Sequence, residues 1–288
     1  MLNTKLADAL RFPLKLERVV VLDIQDKAPV TIERSPNPAD VQDFHVHGFG
    51  FKLRRTITVS PEQASLLQIV AYVDPAGGGV NADETAYAVT AFLNGNVFLL
   101  DVGGVPGGYD KEVMKVLAKR LAKFKPNTVV IEKNMGFGAF REVFVPVLHT
   151  EHKCAVEDDL VTGQKEKRLI ATLEPVIGRG ALIVTINAIE QDKADCGRYA
   201  PKDRQVYSLF FQLAKLTKER GALVHDDRAD ALEGAVRYWQ KYLAIDQERL
   251  AQQERERAMA ELTKDPMGRH RFDPPPKFGR SVFNKYRR

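Results

Sequence analysis

Asp227 and Asp230 stand three residues apart in the stretch HDDRADAL, where a helical pattern begins. At that spacing both carboxylates project from one face of a helical turn, and the dipole of a first turn favours anions. Capping accounts for one acid. Asp226, Asp227 and Asp230 are three acids within five residues, and they repel each other unless a cation intervenes. Two further acids sit where buried strands end: Asp74 closes LLQIVAYVD, and Glu132 follows NTVVI. Taken together, Asp74, Glu132, Asp227 and Asp230 point to metal binding. His225, adjacent to the last group, is a candidate for proton transfer or metal ligation, and equally for orienting a carboxylate.

The elements that must position these acids can be read in order. Leu66–Asp74 is a near-continuous apolar run, as expected of a central strand covered on both faces, and it stops at Asp-Pro-Ala-Gly-Gly-Gly. Glu84–Leu93 and Asn96–Val102 flank Asn94-Gly95, the strongest short-range hairpin signal, so the three runs form an antiparallel meander. Asp110–Phe124 has apolar residues at helical spacing, with Asp110 as N-cap. The next strand, ending at Glu132, then lies parallel in the same sheet through a right-handed crossover, and ligand sites in such sheets gather at the carboxyl ends of strands. Ala139–His149 reads as a helix, Lys153–Val156 as a short strand and Ala181–Ile186 as another. Residues 187–204 read as polar and irregular, and Val206–Arg220 as an amphipathic helix capped by Gly221. Lys165–Ile177 is a helix whose first turn holds Lys165, Lys167 and Arg168 against its own dipole, which suggests contact with a polyanion.

The periphery carries less. In residues 1–65, Arg18–Ile24 reads as a short strand, and the proline- and glycine-containing stretch from Pro29 to Phe51 reads as loop. His45 and His47 there read as a solvated pair, since no further ligand completes a metal set. The expected division is an N-terminal extension or linker over 1–65, one α/β domain over 66–245, and a charged helical and basic mobile tail over 246–288. The chain of 288 residues has a net charge of +5, ordinary apolar content of 44% and only Cys154 and Cys196. That composition excludes a disulfide scaffold. No apolar run is long enough to span a membrane, and the Walker pattern G-x-x-x-x-G-K-[ST] occurs nowhere.

The order of strand with Asp, antiparallel hairpin, helix, strand with acid and helix opening on Asp resembles the ribonuclease H-like fold. That implies an α/β mixed sheet, a three-stranded antiparallel meander plus parallel strands, flanked by helices. Four pieces, YVDPAGGG with DETAYAV, VVIEKN with GFG, KRLIATLEPVI and HDDRADAL, resemble the nuclease domain of tailed-bacteriophage terminase large subunits, nearest the DNA maturases of short-tailed phages of the T-odd type. The likeness covers roughly Leu66–Tyr242. It implies an endonuclease that cuts concatemeric double-stranded viral DNA during genome packaging in the host cytoplasm, with the small terminase subunit and portal as partners. It carries over Asp74, Glu132 and Asp227 as metal ligands and Asp230 less firmly. Family members also carry an N-terminal ATPase, for which this chain has no motif.

Carboxylates converging without His or Cys ligands suit Mg²⁺ or Mn²⁺, and two ions are expected, bridged by Asp74. Lys165, Lys167 and Arg168 are the candidate DNA-phosphate contacts, and no base-reading helix is evident, so little sequence preference is expected. The alternatives are another nuclease of this fold, of the Holliday-junction resolvase or transposase type, and a non-catalytic DNA-binding module. The glycines Gly77, Gly78 and Gly79 read as backbone clearance beside the scissile phosphate.

Overall fold

The computed structural model describes residues 11–35, 37, 39–76, 84–107, 110–133 and 139–264. The glycines at 77–79, residues 134–138, the first ten residues and the basic tail from 265 lie outside them. The chain divides into one unit ending at Leu243 and a second beginning at Ala244.

The meander forms as its hairpin signal requires. Strands β7 (Ile69–Asp74), β8 (Glu84–Leu93) and β9 (Asn96–Pro106) pair antiparallel in sequence. At their β8–β9 turn Asn94 and Gly95 both take positive φ, 48° and 75°, which is what a type I′ turn needs. Helix α1 (Lys111–Ala122) starts where the Asp110 side chain accepts the Glu112 N–H at 2.7 Å. It leads to β10 (Thr128–Glu132), parallel to β7 with Ile131 opposite Val73. Asp74 and Glu132 therefore end neighbouring strands at the same edge. β11 (Ala155–Asp159) continues the parallel set and places Asp159 opposite Glu132. It begins and ends later than the expected Lys153–Val156.

Alternation on β7 assigns the two faces. Val70 and Tyr72 enter one core with helices α3 (Lys165–Gly178), α4 (Ile186–Cys196), α5 (Leu209–Lys215) and the start of α6 (Asp227–Lys264). Ala71 and Val73 enter the other with α1 and α2 (Ala139–Glu151). Helices on both faces of one mixed sheet explain why β7 is apolar on both sides.

Three expectations about the rest of the chain are corrected. The Pro29–Phe51 stretch is not loop. It contains β3 (Ile32–Arg34), β4 (Val41–Val46) and the start of β5 (Phe49–Val59), after β1 (Val20–Leu22) and β2 (Lys27–Pro29). β1 pairs in parallel with both β5 and β12 (Leu182–Thr185), extending the sheet beyond β9. β2 pairs instead with β6 (Gln63–Ser65) in a separate ribbon. His45 is accordingly a strand residue, and His47, at φ 44°, turns β4 into β5. Residues 186–196 are helical rather than irregular, the polar pattern arising because Asp192 and Asp195 are buried against remote arginines. The helix expected over Val206–Arg220 is a 3₁₀ turn (Arg204–Tyr207) followed by α5. It ends at Lys215, and Gly221 serves a later turn at φ 68°.

Candidate metal centre

Asp74 from β7, Glu132 from β10 and Asp230 from the first turn of α6 each offer a carboxylate oxygen, and these oxygens lie within 4.8 Å of one another. The helix can come this near the sheet because of Gly234, one turn beyond Asp230. A Cβ there would stand 2.2 to 2.5 Å from the Tyr72 ring, so only glycine lets α6 rest on that tyrosine.

The electrostatics are those of crowded acids. Burial first, then the charges of Glu132 and Asp230, push the Asp74 carboxyl well above the usual carboxylate range, with Asp227 adding to the shift and Lys165 opposing it. Glu132 is also raised, by burial and by Asp230, against the pull of Arg168, the Tyr72 hydroxyl and Lys165. Among the described residues no cation forms an ion pair with Asp74. Such a group holds onto its proton unless a cation arrives, so the donor set fits a divalent ion bound through oxygen.

The other expected site residues fall around this centre. Asp227 opens α6 and acts on Asp74 through its charge, but it is Asp230 that the geometry groups with Asp74 and Glu132. Asp226 accepts from Lys165 Nζ at 2.8 Å, and the same ammonium reaches Asp230 at 2.9 Å. Burial works against the Lys165 charge, yet Asp230 and Asp226 hold its pKa above the ordinary lysine value. Arg168 pairs with Asp230 and, at 3.1 Å, with Glu233. The basic first turn of α3 thus has intramolecular anions to answer it. Lys167 alone of the three points to solvent. His225 stacks on Tyr207 with ring centroids 4.0 Å apart, and Tyr207 stacks on Tyr199 at 3.5 Å. Its ring is therefore held in an aromatic column beside the acids.

Residues not singled out from the sequence complete the surroundings. The Tyr72 hydroxyl lies 2.8 Å from Asp159 and 3.2 Å from Glu132. Arg237 grips both oxygens of Asp159, at 3.1 and 2.7 Å, and reaches Glu233 at 2.9 Å. Asp159 was within sight, since it ends a short strand next to Glu132 as Asp74 does. The Tyr72 contacts depend on strand pairing across β10 and β11, those of Glu233 on the packing of α6 against α3, and neither carries a local signal.

The family model described as Terminase Bacteriophage T7, Ribonuclease H-like domain matches residues 73–182. The terminase large subunit of Enterobacteria phage T3 is 35% identical over 250 residues, which are 85% of this chain and 42% of that protein. The chain therefore spans less than half the length of this relative. Among solved structures, the human cytomegalovirus terminase nuclease domain aligns with 62% of this chain and 86% of its own, at 13% identity and a TM-score of 0.43. The nuclease domain of the large terminase subunit gp2 of bacterial virus Sf6 aligns with 59% and 87%, at 10% identity and a TM-score of 0.41. Residues 73–182 thus form a ribonuclease H-like domain of the terminase large-subunit kind.

Proposed function

We propose that this chain is a metal-dependent endonuclease that cuts concatemeric double-stranded viral DNA into packaged genome lengths. The observation that carries this reading is the convergence of Asp74, Glu132 and Asp230 at one strand edge, with Asp74 left without a cation of its own among the described residues. By that likeness its setting is the host cytoplasm, and its partners are the small terminase subunit and the portal. Among the described residues no helix is long and apolar enough to cross a membrane.

In this reading Asp74, Glu132 and Asp230, with Asp227 as a further ligand, would hold Mg²⁺ or Mn²⁺. When bound, such ions lower the pKa of an attacking water and stabilise the leaving 3′ oxygen. The chain supplies the rest. β7 and β10 fix two acids in register, and Lys165 and Arg168 restrain Asp230 so that its oxygens face the strand acids. Tyr72, kept as a hydroxyl by burial and by the charges of Glu132 and Asp159, orients Glu132. His225, stacked on Tyr207, is the candidate for assisting proton transfer beside the acids. Lys167 meets backbone phosphates, and Lys165 and Arg168 present positive charge at the rim of the acids. Contacts of that kind carry no sequence information, so cutting has little sequence preference.

Digestion of supercoiled plasmid in Mg²⁺, Mn²⁺ or EDTA, with Asp74→Ala beside the wild type, tests the reading. Nicking and linearisation are expected with either ion, and none with EDTA or with the variant. Either ion should also raise the melting temperature of the wild type, since binding to the folded state alone stabilises it. Full activity in Asp74→Ala without metal-dependent stabilisation would sink the proposal.

A further inference from the structure

Glu132 comes from a strand and Asp230 from a helix, yet an unbroken run of polar contacts joins them around the side of the centre. It passes from Glu132 to the Tyr72 hydroxyl at 3.2 Å, and from that hydroxyl to Asp159 at 2.8 Å. Arg237 donates to both Asp159 oxygens, and its Nε donates to Glu233 Oε1 at 2.9 Å. Thr172 donates to that same oxygen at 2.7 Å. Glu233 Oε2 accepts from Arg168 Nε at 3.1 Å, and Arg168 closes the run on Asp230. The Glu233 side chain is only 1% exposed. Along the run from Asp159 to Asp230 acid and base alternate, and each carboxylate meets a cation on either side or at its end.

A buried ionic chain of this length is a poor route to stability, because the desolvation of each charge offsets its attractions. Its value is geometric. Tyr72 joins the ends of β10 and β11, the Arg237–Asp159 pair ties β11 to α6, and Arg168 and Thr172 tie α3 to α6, so the run constrains where the Asp230 oxygens stand relative to Glu132. Metal ligands depend on such outer partners for their orientation, and loss of one typically weakens metal binding about 10–100-fold.

Building on the metal-centre reading, we propose that Tyr72, Asp159, Arg237 and Glu233 form a positioning belt that sets the affinity of the centre for its divalent ion. Arg237 is the diagnostic residue. It touches none of the three grouped acids and is separated from Glu132 by Asp159 and Tyr72, and from Asp230 by Glu233 and Arg168. A merely structural arginine would change stability and leave ion affinity alone.

The test compares wild type, Tyr72→Phe and Arg237→Gln in the full chain, by Mn²⁺ titration calorimetry and by plasmid nicking against Mg²⁺ concentration. Arg120→Met, which breaks the buried pair with Asp195 at 2.6 Å, serves as a destabilised control. Both belt variants should raise the Mn²⁺ dissociation constant and the half-saturating Mg²⁺ concentration about tenfold. The rate of Arg237→Gln at saturating metal should stay within about twofold of wild type, the pattern of lost binding rather than lost chemistry. The control should melt lower with unchanged Mn²⁺ affinity. Belt variants that melt lower yet bind Mn²⁺ as wild type does overturn the belt and leave the metal centre standing. A wild type that takes up no Mn²⁺ overturns the metal centre itself, and the belt with it.

Discussion

Two clusters of buried charge lie on the same face of the sheet and are built on opposite plans. In one, Arg228, fully buried, donates to Glu84 from Nε and Nη2, at 2.5 and 2.9 Å, and to Asp192 from Nη1 at 2.8 Å. The remaining acceptors are met by the Tyr199 and Ser208 hydroxyls at 2.6 and 2.7 Å and by the Leu209 N–H at 2.9 Å. The other, around Asp74, lies two residues earlier and later along the same helix start, at Asp226 and Asp230. Its donors reach Glu132, Asp226 and Asp230 but leave Asp74 without a pairing cation among the described residues. The difference separates a cluster that closes on itself from one that is completed by something added. Arg228 sits between the acids of HDDRADAL, so one turn of helix faces inward to lock the fold and outward to form the site.

The largest effect that tests this contrast is on stability. Arg228→Met leaves Glu84 and Asp192 buried without their common cation, and breaking a buried pair in this way costs about 3–5 kcal/mol. Total stabilities of domains are only about 5–15 kcal/mol, so the urea midpoint should fall sharply. Asp74→Ala should leave the metal-free midpoint unchanged or higher, because it removes a repelling charge. Similar losses in the two variants would show that the Asp74 cluster is also closed, and would end the comparison.

A middle-sized effect probes how the open cluster is assembled. Gly234→Ala places a methyl group inside the Tyr72 ring volume, and overpacking of this kind costs about 1–3 kcal/mol. To relieve it, α6 or Tyr72 must move. Movement of α6 displaces Asp230, and movement of Tyr72 releases Glu132. Mn²⁺ affinity should therefore fall along with stability. Arg228→Met can be compared only as far as it remains folded, so the informative measurement is Mn²⁺ affinity of Gly234→Ala at a temperature where it is fully native. Unchanged affinity there would mean the close approach serves packing alone.

The sequence carried the centre of the molecule further than its margins, for a physical reason. Asn94-Gly95, the β7 apolar run and the Asp110 cap are local signals, each satisfied by residues nearby, and the acids at strand ends stand out because charge is costly there. What failed to show depends on partners far along the chain. β1 was legible as a strand, but its pairing with β12 joins Val20 to Ile183. The turn-rich stretch around β3 and β4 looks like loop until β5 pairs with both. Helix α4 hides its period because Asp192 and Asp195 occupy inward positions, which is tolerable only beside Arg228 and Arg120. Lys165 and Arg168 were visible as charge against a dipole, but the sequence does not reveal that Asp226, Asp230 and Glu233 stand opposite them.

The smallest effect is in the pH dependence of the metal-free protein, and it isolates Asp74 by residue rather than by sign. The folded-state pKa values of Asp74 and Glu132 are raised, by burial and then by neighbouring acids, above unfolded values of about 4. Over that interval the folded state binds more protons than the unfolded one, so stability falls as pH rises. The contribution of these two groups is fully present below about pH 4 and is lost as pH passes their folded values. Asp159 runs the other way. Burial raises it, but hydrogen bonds from Arg237 and Tyr72 bring it below its ordinary value, so its contribution is lost only at acid pH. Asp101, pushed up to about 7 by burial, and Asp192, also raised by burial against Arg228, titrate in the same sense as Asp74. The reading must therefore be a difference. In EDTA, urea midpoints followed upward from pH 5 should decline more steeply for the wild type than for Asp74→Asn, which cannot ionise. Saturating Mg²⁺ should oppose the decline in the wild type only, because the ion binds the deprotonated acids and gains affinity as protons leave. Equal slopes for the two proteins in EDTA would mean that Asp74 is already compensated, and that its cluster closes on itself as the Arg228 cluster does.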